Sequence, residues 1–231
     1  MSAPKEPGQI IVVNGTSGSG KSTTCELFAR NQDALWLLYG IDHFMGSSFP
    51  RKFGHHGARS QEGISAVPVN ASEPDGNLCW QFSELALNAF SAFHQMIAAV
   101  SRQGCNIIVD HLMMTDPPVL QDCVQRLSDL PVLFVNLKPP YEVLMQRIAE
   151  REIGNRFSNS KYSAEQIKKS RERLDRLRPW FYEAVYANQH YDLEIDTARH
   201  EPEEVCRLIE ERLGEGPGTA FDQLFEEHSK G

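Results

Sequence analysis

The sequence predicts a three-layer α/β fold in which a five-stranded parallel sheet carries helices on both faces. Five short apolar segments alternate with segments of helical periodicity, and strands that alternate with helices pair in parallel through right-handed crossovers. The first apolar segment runs into a glycine-rich turn and then a helical pattern, as expected for a buried strand followed by a helix. The length of 231 residues suits one substantial core, and we predict a single domain over residues 1–213.

The order of the predicted elements follows from the spacing of apolar residues. Short apolar runs predict strands at residues 9–14, 35–42, 106–112, 131–137 and 191–197. Helical spacing predicts helices at residues 20–31, 78–102, 116–127, 141–152, 163–187 and 201–213. Asp116, ahead of two prolines, is the expected N-cap of the third of these helices, and Ser163 with Gln166 forms a capping-box pattern.

Three segments depart from this alternation. Residues 43–78 are rich in glycine, proline and serine, and a connection of this length indicates a functional loop. Residues 147–162 carry several arginines and are expected to form a mobile lid. Residues 214–231 are glycine-rich and acidic, and we predict a flexible tail. The alternative is that one amphipathic turn of the tail docks through its apolar residues, which are Phe221, Leu224 and Phe225.

Composition and charge exclude several classes of protein. The formal net charge of −8 disfavours binding to nucleic acid or to an anionic membrane, and the apolar runs are too short to span a bilayer. The five cysteines are scattered without a paired motif, which argues against a disulfide framework and against a zinc site. The N-terminal segment has no apolar signal core, so we expect a cytoplasmic protein. A homodimer remains open.

The segment from Gly15 to Ser22 matches the phosphate-loop pattern G-x-x-x-x-G-K-[ST] between a predicted strand and a predicted helix. Its glycines let backbone N–H groups approach phosphate oxygens, and the helix N-terminus adds donors. Lys21 is expected to contact the β- and γ-phosphates of ATP, and Ser22 to bind Mg²⁺. The predicted nucleotide-binding residues are Gly15, Thr16, Ser17, Gly18, Ser19, Gly20, Lys21, Ser22 and Thr23, together with Arg156.

Two acids close predicted strands, at the edge where ligands of open α/β sheets gather. Asp110 ends the run Ile-Ile-Val-Asp and is predicted to hold Mg²⁺ together with Ser22. Asp42, in Tyr-Gly-Ile-Asp, is predicted to accept the proton of an attacking hydroxyl group. The alternative for each acid is that it only caps the next turn.

The arginines of the predicted lid suit phosphoryl transfer. Arg147 and Arg151 share one helical face, and Arg156 follows in the flexible segment. Planar guanidinium groups can neutralise the charge that spreads over the transferred phosphoryl group. The alternative is a solvated face on which Glu150 and Glu152 are the partners.

Two further patterns narrow the interpretation. The stretch Asn136-Leu137-Lys138-Pro139 departs from the N-K-x-D pattern of GTPases, so the sequence gives little reason to expect specificity for a guanine nucleotide. The basic run at 168–178 alternates with acids and is interpreted mainly as a solvated helix face.

Taken in order, these segments resemble the chloramphenicol phosphotransferases, small P-loop kinases built like nucleotide monophosphate and shikimate kinases. The matching segments are IIVVNGTSGSGKST, YGIDHF, QGCNIIVDHLMM, PVLFVNLKPP, QRIAEREIGNR and YDLEIDT. The resemblance implies transfer of the γ-phosphate of ATP to a hydroxyl group of a small molecule. It implies Asp42 as catalytic base and Lys21 as phosphate-binding lysine, with Asp110, Arg147 and Arg151 at the positions of the third-strand acid and the lid arginines.

The acceptor is less well defined than the donor. The chain is longer than the compact members of the family, its lid reads R-E-I-G-N-R, and a long charged helix precedes the last strand. Aromatic and apolar residues from 43–82 are expected to enclose a neutral acceptor; they are Phe44, Met45, Phe49, Phe53, Trp80 and Phe82. The neighbouring His55 and His56 are expected at the surface rather than in a metal site.

Two other functions remain open. A kinase of nucleotides or sugar nucleotides, including the zeta-toxin type, would also combine a phosphate loop, an acid and lid arginines. A non-catalytic ATP-sensing module would instead use the acidic tail at 214–231 to dock a partner.

Overall fold

The computed structural model describes residues 5–154, 164–188 and 190–229. The strands are β1 (Ile10–Asn14), β2 (Trp36–Gly40), β3 (Ile64–Pro68), β4 (Leu78–Phe82), β5 (Asn106–His111), β6 (Val132–Leu137) and β7 (Leu193–Ile195). Five of them form one sheet in the order β2-β5-β1-β6-β7, and every pair in it is parallel. The predicted five-stranded parallel sheet is confirmed.

Helices cover both faces of this sheet. They are α1 (Lys21–Asn31), α2 (Ile41–His43), α3 (Glu84–Arg102), α4 (Val119–Leu127), α5 (Tyr141–Gly154), α6 (Ala164–Val185), α7 (Pro202–Gly214) and α8 (Ala220–Ser229). Ile11 and Val13 of β1 pack with α1 and α7, whereas Ile10 and Val12 pack with α3, α4 and α8. Since successive side chains of a strand point to opposite faces, β1 is buried on both sides. Among the described residues, no helix has the length and apolar character needed to span a membrane.

The long connection after α2 contains more structure than its composition indicates. Short helical turns at Phe44–Ser48, Arg51–Phe53 and Ser60–Glu62 lead into the antiparallel hairpin of β3 and β4. The helix predicted from residue 78 therefore begins only at Glu84, where the Ser83 hydroxyl accepts a hydrogen bond from the Ala86 N–H. The predicted start was wrong because Trp80 and Phe82 of β4 extend the apolar pattern of the helix that follows.

The predicted cap of α4 was also wrong. This helix begins at Val119, and Pro118 occupies the N-cap position without a side-chain hydrogen bond. Asp116 lies in the preceding turn, and the Val119 N–H donates its hydrogen bond to the Pro117 carbonyl instead of to Asp116. The capping box predicted at Ser163 lies outside the described residues.

The C-terminal segment forms a docked helix rather than a flexible tail. Phe221 and Leu224 of α8 are buried in the core, and the Phe221 ring meets Phe134 of β6 edge-on at 5.1 Å between centroids. The Asp192 carboxylate accepts hydrogen bonds from the N–H groups of residues 219 and 220, at 2.7 and 3.0 Å, and so caps the helix. Phe225 remains partly exposed. Residues 220–229 are thus not the flexible tail that we predicted. They dock, as in the alternative, through Phe221 and Leu224 but not through Phe225.

Candidate active site

The phosphate loop has the backbone geometry that its sequence predicts. Gly15, Gly18 and Gly20 all have positive φ angles, of 153°, 87° and 97°. At Gly15 a Cβ atom would lie 2.7 Å from the Leu137 carbonyl oxygen, so a side chain does not fit there. The N-terminus of α1 carries no side-chain cap and no acid in its first turn. Its backbone N–H groups therefore suit an anion, as the phosphates of a nucleotide require.

Lys21 lies across this loop. Its side chain is buried, and its Nζ donates a hydrogen bond to the Thr16 carbonyl oxygen at 3.0 Å. The ammonium group is thus held inside the loop, where an anion would be surrounded by the loop amides. The predicted role of Lys21 in binding phosphate fits this position.

The two predicted magnesium ligands are in direct contact. The Ser22 hydroxyl donates to Asp110 Oδ2 at 2.7 Å, and Asp110 Oδ1 accepts a hydrogen bond from the Ile41 N–H at 3.1 Å. Gly40 allows this arrangement, because a Cβ atom there would lie 1.9 Å from Asp110 Oδ1. A hydroxyl and a carboxylate are oxygen ligands of the kind that Mg²⁺ takes, usually with waters and substrate phosphates completing its shell.

Asp42 lies at the wall of a cavity of about 350 Å³. The strand β2 ends at Gly40, two residues earlier than predicted, and Asp42 follows in the short α2 with an exposed side chain. Thr16 and Ser17 of the phosphate loop line the same cavity. The structure therefore brings the predicted base and the predicted phosphate loop to one space.

The remaining walls of the cavity are mostly apolar and aromatic. They include Ile41, Met45, Trp80, Leu112, Tyr141, Leu144, Met145, Ile148, Leu174, Phe181 and Tyr182. Of the six residues predicted to enclose an acceptor, Met45 and Trp80 line the cavity. The other four pack in or against the core, namely Phe44, Phe49, Phe53 and Phe82.

The two adjacent histidines have different environments. His56 is exposed, as predicted, but His55 lines the cavity and its ring lies 5.2 Å from that of Trp80. Burial, together with His56 and Arg173, lowers the pKa of His55 to about 3. His55 is therefore a neutral part of the cavity wall at neutral pH, and the prediction of a surface position was wrong for it.

The predicted lid arginines are only partly described. The Arg147 guanidinium donates to Thr197 Oγ1 at 3.0 Å, to the Thr197 carbonyl at 2.6 Å and to the Gly18 carbonyl at 3.3 Å. Arg151 follows in the same helix, whereas Arg156 lies outside the described residues, as does the predicted lid beyond Gly154. Arg147 is thus at the phosphate loop, but its contacts are with protein oxygens.

Comparison with known proteins identifies the family of this chain. The model of the chloramphenicol phosphotransferase-like protein family matches residues 8–214. The chain belongs to this family. The resemblance predicted from the sequence is confirmed, and α8 lies beyond the part that matches. A search of curated proteins gives no sequence match.

Solved structures show that this member of the chloramphenicol phosphotransferase-like family has a P-loop kinase fold. A sugar kinase from Janibacter sp. HTCC2649 is similar with a TM-score of 0.52 and 15% identity, over 90% of this chain and 95% of that chain. The APS kinase of Mycobacterium tuberculosis, in complex with AMPPNP and APS, gives a TM-score of 0.52 and 11% identity, over 90% and 98% of the two chains. At such identity the likeness extends to the fold alone.

The site of this family member also depends on residues that the sequence analysis did not single out. The Asn14 amide donates to Asn136 Oδ1 at 3.1 Å and to the Val185 carbonyl at 3.0 Å, and its oxygen accepts from the Met113 N–H at 2.9 Å. Asn14 thus joins the ends of three segments beneath the phosphate loop. The sequence feature that could have indicated this role is a polar residue at the end of a buried apolar strand. Such a buried polar side chain needs hydrogen-bond partners inside the protein.

Tyr186 is a second residue of this kind. Its hydroxyl donates to the Leu137 carbonyl at 2.8 Å and accepts a hydrogen bond from the Thr16 N–H at 3.2 Å. Burial raises the pKa of Tyr186, so the phenol stays protonated and keeps both contacts. Nothing in the sequence near Tyr186 indicates this link to the phosphate loop.

The basic run at 168–178 is more than a solvated face. Arg176 donates to the carbonyls of Gly76 and Pro74, at 2.7 and 2.6 Å, in the turn between β3 and β4. Arg173 donates to the Ala66 carbonyl at 3.4 Å. The interpretation was wrong for these two arginines, because they bind α6 to the hairpin that carries Trp80. It holds for the exposed Lys168 and Lys169, which pair with acids of the same helix. Arg178 pairs with Asp175 and lines the cavity.

Proposed function

We propose that this protein is an ATP- and Mg²⁺-dependent O-phosphotransferase that moves the γ-phosphate of ATP to a hydroxyl group of a small molecule. The observation that carries the proposal is that Thr16 and Ser17 of the phosphate loop border the same cavity as Asp42. Phosphoryl transfer to an alcohol needs a phosphate-binding segment and a proton acceptor that face the same space. Membership of the chloramphenicol phosphotransferase-like family supports the same reaction class.

The donor side would be held by the phosphate loop and its neighbours. The loop amides and Lys21 would bind the phosphates, and Ser22 with Asp110 would hold Mg²⁺. ATP with its metal supplies the transferable phosphoryl group. Arg151 and Arg156 are the candidates for neutralising the charge that develops on that group.

Asp42 would act as the general base. Its exposed side chain at the cavity wall can reach an acceptor hydroxyl without first breaking a buried contact. By accepting the hydroxyl proton as the oxygen attacks, the carboxylate would both orient and activate the acceptor.

The acceptor side suits a small molecule with a largely apolar body. Among the described residues, the charged side chains of the cavity wall are Asp42 and Arg178, which have opposite sign. His55 adds no charge at neutral pH because its pKa is lowered to about 3. A neutral acceptor that resembles chloramphenicol fits a cavity wall whose two charges have opposite sign. Arg178 is the feature that favours the second candidate, a nucleotide or sugar-nucleotide acceptor.

The decisive experiment measures ADP formation from Mg·ATP with and without a panel of hydroxylated acceptors. The panel contains chloramphenicol, shikimate-like acids, nucleoside monophosphates and UDP-sugars. We expect stimulation by one class, and we expect Asp42→Asn to lower the stimulated rate by about 10²- to 10⁴-fold with little change in ATP affinity. The control is Asp33→Asn, which changes an exposed acid in the loop after α1. Wild-type turnover in Asp42→Asn would remove Asp42 from the base role.

The sensing-module alternative predicts a different result. It requires tight ATP binding, no acceptor-stimulated turnover, and a partner that docks on the acidic tail. The burial of Phe221 and Leu224 in the protein's own core takes those side chains away from such a partner. We therefore place the phosphotransferase first.

A further inference from the structure

The Arg147 guanidinium joins three separate segments of the chain. From α5 it reaches the Gly18 carbonyl of the phosphate loop at 3.3 Å. It also reaches Thr197, which follows β7, through the hydroxyl at 3.0 Å and the carbonyl at 2.6 Å. These contacts use three of the five N–H groups of the arginine. Arg147 is thus committed to protein oxygens rather than to the open cavity.

Thr197 connects Arg147 to a second carbonyl of the phosphate loop, that of Ser19. Its hydroxyl accepts a hydrogen bond from Arg147 and donates one to the Ser19 carbonyl at 2.9 Å. Thr197 is 6% exposed, so water competes little for these bonds. Two successive carbonyls of the phosphate loop, those of Gly18 and Ser19, are therefore held from outside the loop.

Holding these carbonyls also sets the direction of the N–H groups that follow them. In a planar trans peptide the C=O and N–H groups point in opposite directions. Since the Gly18 carbonyl faces Arg147, the Ser19 N–H is turned inward, where it bonds to the Thr16 carbonyl at 3.2 Å. By the same geometry, the bond from Thr197 to the Ser19 carbonyl turns the Gly20 N–H away from Thr197.

We propose that Arg147 and Thr197 are positioning residues that fix the direction of the phosphate-loop amides, and that Arg147 does not contact the transferred phosphoryl group. The inference rests on the proposed function in that the loop is taken to bind nucleotide phosphates. It differs from the expectation for a lid arginine, because the effect of Arg147 is exerted through the Gly18 carbonyl and Thr197.

The test compares variants of Thr197 that keep or remove the hydroxyl group. Thr197→Val preserves shape but loses both hydroxyl contacts, whereas Thr197→Ser retains them. We expect Thr197→Val to weaken ADP binding by about tenfold in calorimetric titration, and Thr197→Ser to restore it. Arg147→Lys, which cannot bridge the same oxygens, should resemble Thr197→Val. The matched control is Arg199→Gln, since Arg199 is an exposed residue of the same loop that pairs with Asp196.

A second measurement separates positioning from simple stabilisation. In the unliganded protein, the amide resonances of Gly18, Ser19 and Gly20 should shift in Thr197→Val and return in Thr197→Ser. Unchanged resonances and unchanged ADP affinity in Thr197→Val would overturn the proposal, as would a loss that Thr197→Ser does not restore. Failure of the proposed function gives a different result. If the wild-type protein transferred no phosphate, ADP binding and these resonances would still show whether Thr197 fixes the geometry of the loop.

Discussion

The donor side of the cavity is formed by one continuous segment, whereas the acceptor side is assembled from several distant ones. The phosphate loop between β1 and α1 supplies the donor side, with Asp110 added from the adjacent strand β5. The acceptor side draws on α2, on the connection that carries His55, on β4, and on α5 and α6. The donor side is therefore fixed mainly by backbone geometry, and the acceptor side by side chains that meet through tertiary packing.

This difference indicates how the two sides should respond to substitution. Changes at the donor side should alter nucleotide binding and turnover, because they move backbone amides or metal ligands. Changes at the acceptor side should alter the KM for the acceptor while nucleotide affinity stays close to that of the wild type. A variant that shifts both quantities equally would show that the two sides are not independent.

Among the substitutions that compare the two sides, the largest effect is expected from a single methyl group added at the donor side. In Gly40→Ala the new Cβ atom would meet Asp110 Oδ1 at 1.9 Å, so the Asp110 carboxylate must shift from the position in which it binds the Ser22 hydroxyl. We expect turnover to fall by about a hundredfold or more, since a displaced metal ligand removes charge stabilisation, with a loss of about 1–3 kcal/mol in the free energy of unfolding. Steady-state kinetics at varied Mg²⁺ and chemical denaturation measure the two effects.

Gly46→Ala is the matched control for this variant. Gly46 lies in the helical turn after α2, and a Cβ atom there meets nothing within 4 Å. The control should keep wild-type turnover and stability. Equal behaviour of the two alanine variants would contradict the tight fit of Gly40 against Asp110.

A smaller effect is expected from loosening the acceptor wall. Arg176→Gln removes the hydrogen bonds that bind α6 to the turn between β3 and β4. We expect the KM for the acceptor to rise by about threefold to tenfold, as for the loss of charge-assisted hydrogen bonds at a partly exposed site, with ATP affinity unchanged. Lys168→Gln, an exposed substitution on the same helix, is the control. A rise in the KM for ATP instead would contradict the separation of the two sides.

The smallest expected effect is a change in how the free energy of unfolding depends on pH, and it arises at the end of β5, where the two sides meet. Asp110 belongs to the donor side and Leu112 to the acceptor side, and His111 lies between them in the chain. His111 Nε2 lies 3.1 Å from His94 Nε2. His94 Nδ1 in turn lies 2.6 Å from Asp122 Oδ2. Burial is the main cause that lowers the pKa of His94. The folded protein thus keeps His94 neutral at pH values at which the unfolded chain binds a proton.

The sign of the pH effect follows from this difference. Below the ordinary histidine pKa, the unfolded chain binds more protons, so the free energy of unfolding should fall as the pH decreases from about 6.5, by at most about 1.4 kcal/mol per pH unit for His94. His94→Gln should reduce this slope of the free energy of unfolding against pH. Denaturation curves measure it between pH values of about 7.5 and 5.5, which lie about one unit on either side of that pKa. His228→Gln, on the exposed face of α8, should leave it unchanged. An unaltered slope in His94→Gln would exclude His94 as its source.

The same contrast explains what could be predicted from the sequence. The phosphate loop and the contact of Ser22 with Asp110 follow from a local motif and from the rule that ligands gather at the carboxyl ends of parallel strands. The Thr197 hydroxyl, by contrast, binds a carbonyl 178 positions away in the chain. Such contacts depend on how distant segments pack, and no local pattern encodes them.

The hairpin and α6 show the same limit from the acceptor side. The apolar Trp80 and Phe82 continue the pattern of α3 and so predict a helix, although their spacing of two positions also fits a strand, as in the observed pairing of Ala66 with Trp80 across β3 and β4. The arginines of α6 have the sequence of a solvated face, and only the approach of the hairpin gives Arg176 its carbonyl partners. The composition of the acceptor wall therefore became clear only from the structure.

An experiment with labelled ATP follows the transferred phosphoryl group itself and so tests the proposed activity. The protein is incubated with Mg²⁺, γ-labelled ATP and each acceptor of the panel, and the products are separated and identified by mass spectrometry. We expect the label to appear on a hydroxyl oxygen of one acceptor class, and we expect Asp42→Asn to slow this transfer by about 10²- to 10⁴-fold while ADP still binds. Label found only in inorganic phosphate, with every acceptor and at an unchanged rate in Asp42→Asn, would contradict the proposed phosphotransferase activity.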